Sequence, residues 1–474
     1  MSPPDPFDAS RARRWLAVAV GSLLLAGIFA LLLVVGRMPP LSLLLTDPGF
    51  FRRCLVVHVD LALVVWFYAF LAALFALVPS RAGTHTAGRH APLVATLGVC
   101  LMMAATAVRS AEPVLANYIP VLDHSLYLAG LAIIGLALAF HFLEPRLLPS
   151  SEPPPTHAAI VPPAALPLVR AAGLAVLLAL LTFGASLRLT PTGLPPQAYY
   201  EAVMWGGGHI LQFASVAAML ATWVMLLAPV LGSAPWQRRT GALLAATLTT
   251  PLFFAPLLVL NGTTSLDYRV GFTRYMQFGI APTVIVALVL CGRALLHARR
   301  RGELATDQGG RLLGFLASAL LTVLGFVLGA TIHGSNTVVP AHYHASIGGV
   351  TVALMAVAYP LLEALGLPAL DGRLRRIAAW QPALLGIGQA IFAAGFALAG
   401  AHGMQRKSYA NEQHIRTTAE YLGLGVMGAG GLVAVGGGLL FLFLIGVMGR
   451  RFLSASARAR RTQPAANEVI HVGR

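Results

Sequence analysis

Histidine is the residue type through which this chain is best equipped to do chemistry. Fourteen are present, and most have ordinary explanations. His85, His90, His157, His297 and His471 fall in polar connections or the tail, where a solvated ring suffices. His124 and His141 stand at the two ends of one apolar run, where a headgroup-facing position suffices. His402 and His414 flank another connection. His58, His209, His333, His342 and His344 remain, all within or beside long apolar runs and near one end of each. A coordinating group inside a membrane helix is costly to leave unpaired, so each marks a candidate functional site. A hydrogen bond to a neighbouring helix explains any single one equally well. The set says more than its members.

His342 and His344, in PAHYHASIGG, are two residues apart at the start of one apolar run. On an α-helix, positions i and i+2 point about 200° apart, so the pair cannot chelate one metal. Each can ligate a different group on opposite flanks of the helix, and two haems flanking one helix need this spacing. His58, in LVVHVDLALVVWFYAF, lies at the same depth and offers a second axial ligand to one haem. Iron held by two imidazoles has no open position and serves electron transfer, whereas iron on a single histidine keeps a site for a small molecule. His209, in MWGGGHILQF, is at comparable depth and is placed to bring a non-haem metal over that open face.

The elements that must position these groups are membrane helices. Of 474 residues, 57% are hydrophobic and 11% charged, against roughly 25% charged in a soluble domain. A cytosolic enzyme, a secreted scaffold and a disordered chain are all excluded. Apolar runs near the 20 or so residues that span a bilayer occur at 15–36, 54–78, 92–109, 125–143, 167–187 and 203–230. Six more occur at 240–260, 275–296, 311–332, 344–366, 379–401 and 419–448. All read as helices, because a helix satisfies its own backbone in hydrocarbon, and the first lacks a small-residue cleavage site. The expected fold is an all-α integral membrane bundle of twelve spans, one domain over 1–474. A Pro-rich linker at 150–163 and a basic tail at 451–474 lie on the cytoplasmic side.

The formal net charge of +16 fits this layout. RARR near the N-terminus, Arg81, Arg89, QRR, HARRR, GRLRR and RRFLSASARARR fall on alternate connections. That is the positive-inside pattern, with both termini cytoplasmic in a bacterial inner membrane and the arginines against lipid headgroups. Nucleic acid is not an expected partner. Cys54, Cys100 and Cys291 are scattered and form no CxxC or disulfide framework. GAGGLVAVGGG at 428–438 sits inside a span, where small residues allow close helix packing rather than phosphate binding.

With these residues in view, the chain resembles the catalytic subunit of the haem–copper oxidase superfamily, which includes terminal oxidases and nitric oxide reductases. The resemblance runs over essentially the whole chain, with histidines on spans two, six and ten. It implies that His58 and His344 hold a low-spin haem, His342 a high-spin haem, and His209 a distal metal. His333 resembles a family position near the haem propionates or an accessory cation. AHGMQRKSYA resembles the family's propionate-binding loop, which places Arg406 and Lys407 against the propionates. Haem b is the default type.

One departure bears on the reaction. The family's His-His pair after span seven is missing from FFAPLLVLNGTTSLDYRVGFTRYM, where Asn261 stands about where the pair belongs. Either Asn261, Asp267 or Tyr268 supplies oxygen ligands, or the distal metal is absent. Oxygen ligands with one imidazole favour iron over copper. No tyrosine follows His209 where the family has its covalently linked one, and no intramembrane carboxylate or lysine relay is evident; Lys407 is the only lysine. The expected function is reduction of a diatomic gas, nitric oxide to nitrous oxide in preference to dioxygen to water, with Asp267 a candidate for proton delivery. Nitric oxide dismutation, a non-catalytic haem protein and a secondary transporter are lesser alternatives; no inverted repeat supports the last. The expected donor is an outer-side cytochrome c or cupredoxin subunit, or quinol.

Overall fold

The computed structural model describes residues 6–35, 48–79, 88–149, 160–406 and 414–462. The chain runs α1 (Pro6–Val35), α2 (Pro48–Val59), a π-helical turn (Asp60–Val65), α3 (Trp66–Ala76) and α4 (Ala91–Thr106). A short hairpin of β1 (Glu112–Val114) and β2 (Val121–Asp123) leads into α5 (Ser125–Phe142) and α6 (Leu166–Leu189). Then follow α7 (Pro196–Leu231), α8 (Arg238–Thr249), α9 (Ala255–Leu260) and α10 (Leu266–Arg301). The chain continues through α11 (Gly309–Ala330), α12 (Val338–Ala364), α13 (Gly372–Ala401) and α14 (Thr418–Thr462).

Eleven helical segments among the described residues are long and apolar enough to cross a membrane. The segment expected as the third span, α4, has 16 residues, or about 24 Å at 1.5 Å per residue, short of a hydrocarbon core of about 30 Å. The fold is therefore a multi-span helical membrane bundle, with eleven helices long and apolar enough to cross and one shorter apolar helix among the described residues. Most of the 150–163 linker and half of the 451–474 tail lie outside the described residues.

The bundle is arranged around two buried elements. Every residue of α3 is buried, and α7 is buried along most of its 36 residues. Outer helices keep apolar side chains such as Leu181, Leu243, Phe278 and Leu320 exposed, as a lipid-facing wall requires. α7 packs against α6, α10, α11 and α12. α13 and α14 form the tightest pair, because Gly388, Gly395, Gly423 and Gly430 bring one backbone against the other. Gly232 and Gly302, with φ of 69° and 68°, close α7 and α10 in the left-handed conformation.

One end of the bundle, the basic end, is held by buried ions. Arg11 of α1 donates to Glu144 and to Asp8 Oδ1 at 3.1 Å. Arg146 donates to Glu144 Oε2 at 2.8 Å, to the Ala76 and Val78 carbonyls at 2.6 and 2.8 Å, and to Asp8 at 3.1 Å. Arg170 donates to the Arg146 carbonyl at 2.9 Å. Arg11, Arg146 and Arg170 are all buried. The expectation that RARR meets headgroups is corrected for Arg11, which is an internal clamp. His141 is likewise corrected: its ring is fully buried, Nε2 lies 2.8 Å from the Ala72 carbonyl, and Trp15 and Phe75 pack against it.

Candidate functional site

Three of the expected histidines share one construction. The Nδ1 of His58 lies 2.9 Å from the Ala26 carbonyl of α1. That of His342 lies 2.7 Å from the Gly325 carbonyl of α11, and that of His209 lies 2.7 Å from the Trp205 carbonyl one turn back. A carbonyl only accepts, so each neutral ring carries its proton on Nδ1 and presents the lone pair of Nε2. Metal-ligating histidines are fixed in this way, by an outer hydrogen bond that sets tautomer and orientation. The Nε2 atoms of His58 and His342 have no hydrogen-bond partner among the described residues.

The two histidines of PAHYHASIGG diverge as their spacing demands. His342 lies against α11, where Gly329 leaves room for the ring: a Cβ there would stand 2.8 Å from Nδ1. His344 turns toward α13 and packs on Phe392, with centroids 4.4 Å apart, and more distantly on Phe396. His58 belongs to α2, which packs on α1, α4 and the hairpin and makes no packed interface with α12. The structure thus places His58 and His344 on separate helices, and does not bring their rings into contact. The donor set and the flat aromatic surroundings of His344 fit a haem: one backbone-anchored imidazole on α2, and two imidazoles on opposite flanks of α12.

His209 differs from the other two. Its Nε2 is taken by the Tyr118 hydroxyl at 2.7 Å. Tyr118, Trp205 and Phe272 surround the ring at centroid distances of 4.3, 4.7 and 6.0 Å. Three successive glycines on α7 make this possible, each accommodating an aromatic side chain. Gly206 faces the Tyr268 hydroxyl and Phe272, Gly207 the ring of Phe183, and Gly208 the Cβ of Tyr118. Tyr118 sits at the hairpin tip with φ of 70°, the one left-handed non-glycine among the described residues. Such a conformation costs on the order of 1–3 kcal/mol and persists where its surroundings enforce it. The enforcement comes from Asn117, whose backbone N–H and side-chain amide both donate to the Glu201 carboxylate on α7, at 2.8 and 2.5 Å. Burial, with the nearby Glu201 charge adding to it, pushes the Tyr118 hydroxyl above the ordinary tyrosine range, so it remains a donor.

The residues expected after span seven have other surroundings. Asn261 ends α9 and Asp267 lies in the first turn of α10; both are exposed, and no hydrogen bond among the described residues joins them to His209. Tyr268 is fully buried, yet its hydroxyl is committed to the backbone of α7. It donates to the Ala202 carbonyl and accepts from the Gly206 N–H, both at 2.9 Å, with Ser186 Oγ at 3.2 Å. Those two backbone groups are the i, i+4 pair an α-helix joins directly, so a side chain is inserted in the helix ladder one turn from His209. With His209 Nε2 bonded to Tyr118, Tyr268 bonded to α7, and Asn261 and Asp267 exposed, these residues do not fit a distal metal.

At the same end of the bundle, His333 is exposed, its carbonyl accepting from Asn336 Nδ2 at 3.2 Å. Its segment is stitched to the 403–406 turn by a bridge between Asn336 and Gln405 and by Thr337 N–H to the Met404 carbonyl at 3.0 Å. Arg406 donates to Ser335 Oγ at 2.9 Å and to Asn117 Oδ1 at 3.5 Å. His333 and Arg406, expected to act together, therefore lie on neighbouring segments; Lys407 lies outside the described residues. Asn117, Gln197, Glu201, Arg269 and Arg406 line a cavity of about 420 Å³.

Sequence reasoning missed three groups. Tyr118 carried no local signal, because only the fold brings it to His209. Asp60 did carry one: a lone carboxylate in LVVHVDLALVV within a span. It is fully buried at the π-helical turn and accepts from the Tyr127 hydroxyl at 2.7 Å, a single buried carboxylate rather than a relay. Glu201 also lies within a span and anchors the hairpin.

Fold and site together define a multi-span membrane protein with backbone-anchored imidazoles near one end of its helices. The chain is similar to an uncharacterized protein of Rickettsia prowazekii (strain Madrid E), 25% identical over 506 residues that cover 92% of this chain and 95% of that one. It is also similar to an uncharacterized protein of Aquifex aeolicus (strain VF5), 27% identical over 352 residues covering 74% and 84%. No family model matches the chain.

Proposed function

We propose that this chain is the haem-carrying subunit of a bacterial inner-membrane oxidoreductase that reduces a diatomic gas, nitric oxide to nitrous oxide in preference to dioxygen. The observation that carries this reading is the shared anchoring of His58 and His342. Each imidazole is locked by a backbone carbonyl at 2.9 or 2.7 Å, with Nε2 left without a hydrogen-bond partner among the described residues, the arrangement of a metal-ligating histidine. When bound, the haems supply electron transfer at an iron with two imidazoles, His58 and His344, and a gas-binding position at the iron of His342.

The protein's own groups have definable tasks. Ala26 and Gly325 hold the two rings in one tautomer. Phe392 and Phe396 present an apolar face beside His344. Arg406, fixed by Ser335 and Asn117, offers a cation to a carboxylate at the histidine end. In this reading the basic end is cytoplasmic, both termini included. The donor is an outer-side cytochrome c or cupredoxin subunit, or quinol.

The test is an optical spectrum of the dithionite-reduced, detergent-purified protein. A haem α-band is expected, with the bis-imidazole signal lost in His58→Ala and the carbon monoxide-reactive haem lost in His342→Ala. A protein without any haem band rejects the proposal. Nitric oxide consumption with an artificial donor is expected, whereas dioxygen turnover alone would reassign the substrate.

A further inference from the structure

We infer that His209 ligates no metal: a tyrosine from a distant hairpin, Tyr118, closes its coordinating nitrogen, and a phenol–imidazole pair stands where a distal metal ion would. The inference rests on the haem reading for its meaning in catalysis but on separate observations for its substance.

Both nitrogens of His209 are bonded by the protein. Nδ1–H donates to the Trp205 carbonyl at 2.7 Å, and the lone pair of Nε2 accepts from Tyr118 at 2.7 Å. This is unlike His58 and His342, in which the second nitrogen has no hydrogen-bond partner among the described residues. A metal at Nε2 must displace the phenol, and the surroundings oppose that displacement. Glu201 pins Asn117 by two hydrogen bonds, Arg406 reaches the same asparagine, and Trp205 packs edge-on against the Tyr118 ring at 5.6 Å. Gly208 is the complementary feature on α7, since any side chain there would collide with the Tyr118 Cβ. A backbone held at positive φ, a glycine that admits the ring and a carboxylate that grips the preceding residue all serve one contact.

The remaining donors do not assemble a metal site either. No cluster of three or more histidine, cysteine, aspartate or glutamate side chains suited to a metal occurs among the described residues. Stable sites for first-row metals use several such ligands, and one imidazole already bonded to a phenol is a poor start. Tyr118 is thus a positioning residue: its hydroxyl holds the His209 ring in one tautomer and turns the pair into a fixed polar unit.

The test uses the full-length protein and the Tyr118→Phe and His209→Ala variants. Metals are measured by mass spectrometry per chain, against haem counted separately. Iron equal to haem iron is expected in all three proteins, with no stoichiometric copper, zinc or further iron. One additional metal ion per chain in the wild type that disappears in His209→Ala overturns the inference. The pair itself is read by solid-state nitrogen NMR of histidine-labelled protein, reduced and bound to carbon monoxide so that any haem iron is diamagnetic. The signal lost in His209→Ala is expected to show an unprotonated, hydrogen-bonded Nε2 that moves to the free-imidazole position in Tyr118→Phe. A signal unmoved by Tyr118→Phe overturns the inference as well. A preparation without haem rejects the proposed function alone, because both measurements still decide whether Tyr118 or a metal holds His209.

Discussion

At the residue scale, a polar atom in this bundle counts by what fills its last bonding position. Tyr268 has its hydroxyl fully spent on Ala202, Gly206 and Ser186, so it supports α7 and has no lone pair reserved for a ligand. Tyr268→Phe leaves buried backbone groups to re-pair across a stretched turn, and an unmet buried group costs about 1–3 kcal/mol. A lower thermal midpoint in detergent, with any haem spectrum unchanged, is the expected result. Gly208→Ala acts differently. Its new methyl meets the Tyr118 Cβ, and overpacking of this kind costs typically 1–3 kcal/mol. The midpoint should fall, and the His209 nitrogen signal should shift as it does in Tyr118→Phe. The histidines of α12 were legible because an i, i+2 spacing has only one geometric meaning on a helix. Tyr118 was not, since 91 residues separate it from His209 and no local pattern marks a contact made by a hairpin tip.

At the element scale, helices were readable and their interruptions were not. Apolar run length located each crossing, but composition alone does not separate the 16-residue α4 from its longer neighbours. The π-helical turn at Asp60–Val65 has no sequence signature beyond the lone aspartate, and π-turns of this kind are frequent at functional sites. The hairpin escaped notice because two three-residue strands give no usable alternation. Interhelix ion pairs make the sharpest prediction here. Glu144 serves Arg11 and Arg146 together, both buried. Glu144→Gln leaves two buried guanidinium groups with Asp8 as their one remaining anion in the clamp, and breaking a buried pair typically costs about 3–5 kcal/mol. A large drop in folded yield is expected, with proteolytic sensitivity appearing first in α1; a variant as stable as the parent would refute the clamp.

At the scale of the whole molecule, the net charge of +16 has acquired a structure. Arg11 and Arg146 are balanced internally by Asp8 and Glu144 and add nothing to it. Part stands at the histidine end, at Arg269 and Arg406 around the cavity. A further part, among the described residues, is exposed arginine at helix ends, as at Arg299, Arg300 and Arg373. If that further part sets orientation by the positive-inside bias, a cysteine placed at residue 300 should react with an impermeant thiol reagent only from the cytoplasmic side. One placed at residue 333 should react only from the outside. Reversed labelling would invert the orientation and move the electron donor to the other face.

The ion clamp of the basic end also carries a consequence for biogenesis. Arg11 is synthesised before its partner Glu144, which follows 133 residues later, after α1 to α5 have been made. Until then the guanidinium lacks Glu144 and has Asp8, three residues before it, as a local anion, so its head is expected to stay in water or among lipid phosphates. The first helix therefore cannot settle to its final depth when it leaves the ribosome. α1 is expected to insert loosely and to be drawn into place once α5 has been made. The clamp on α1 is thus completed by a residue made 133 positions later.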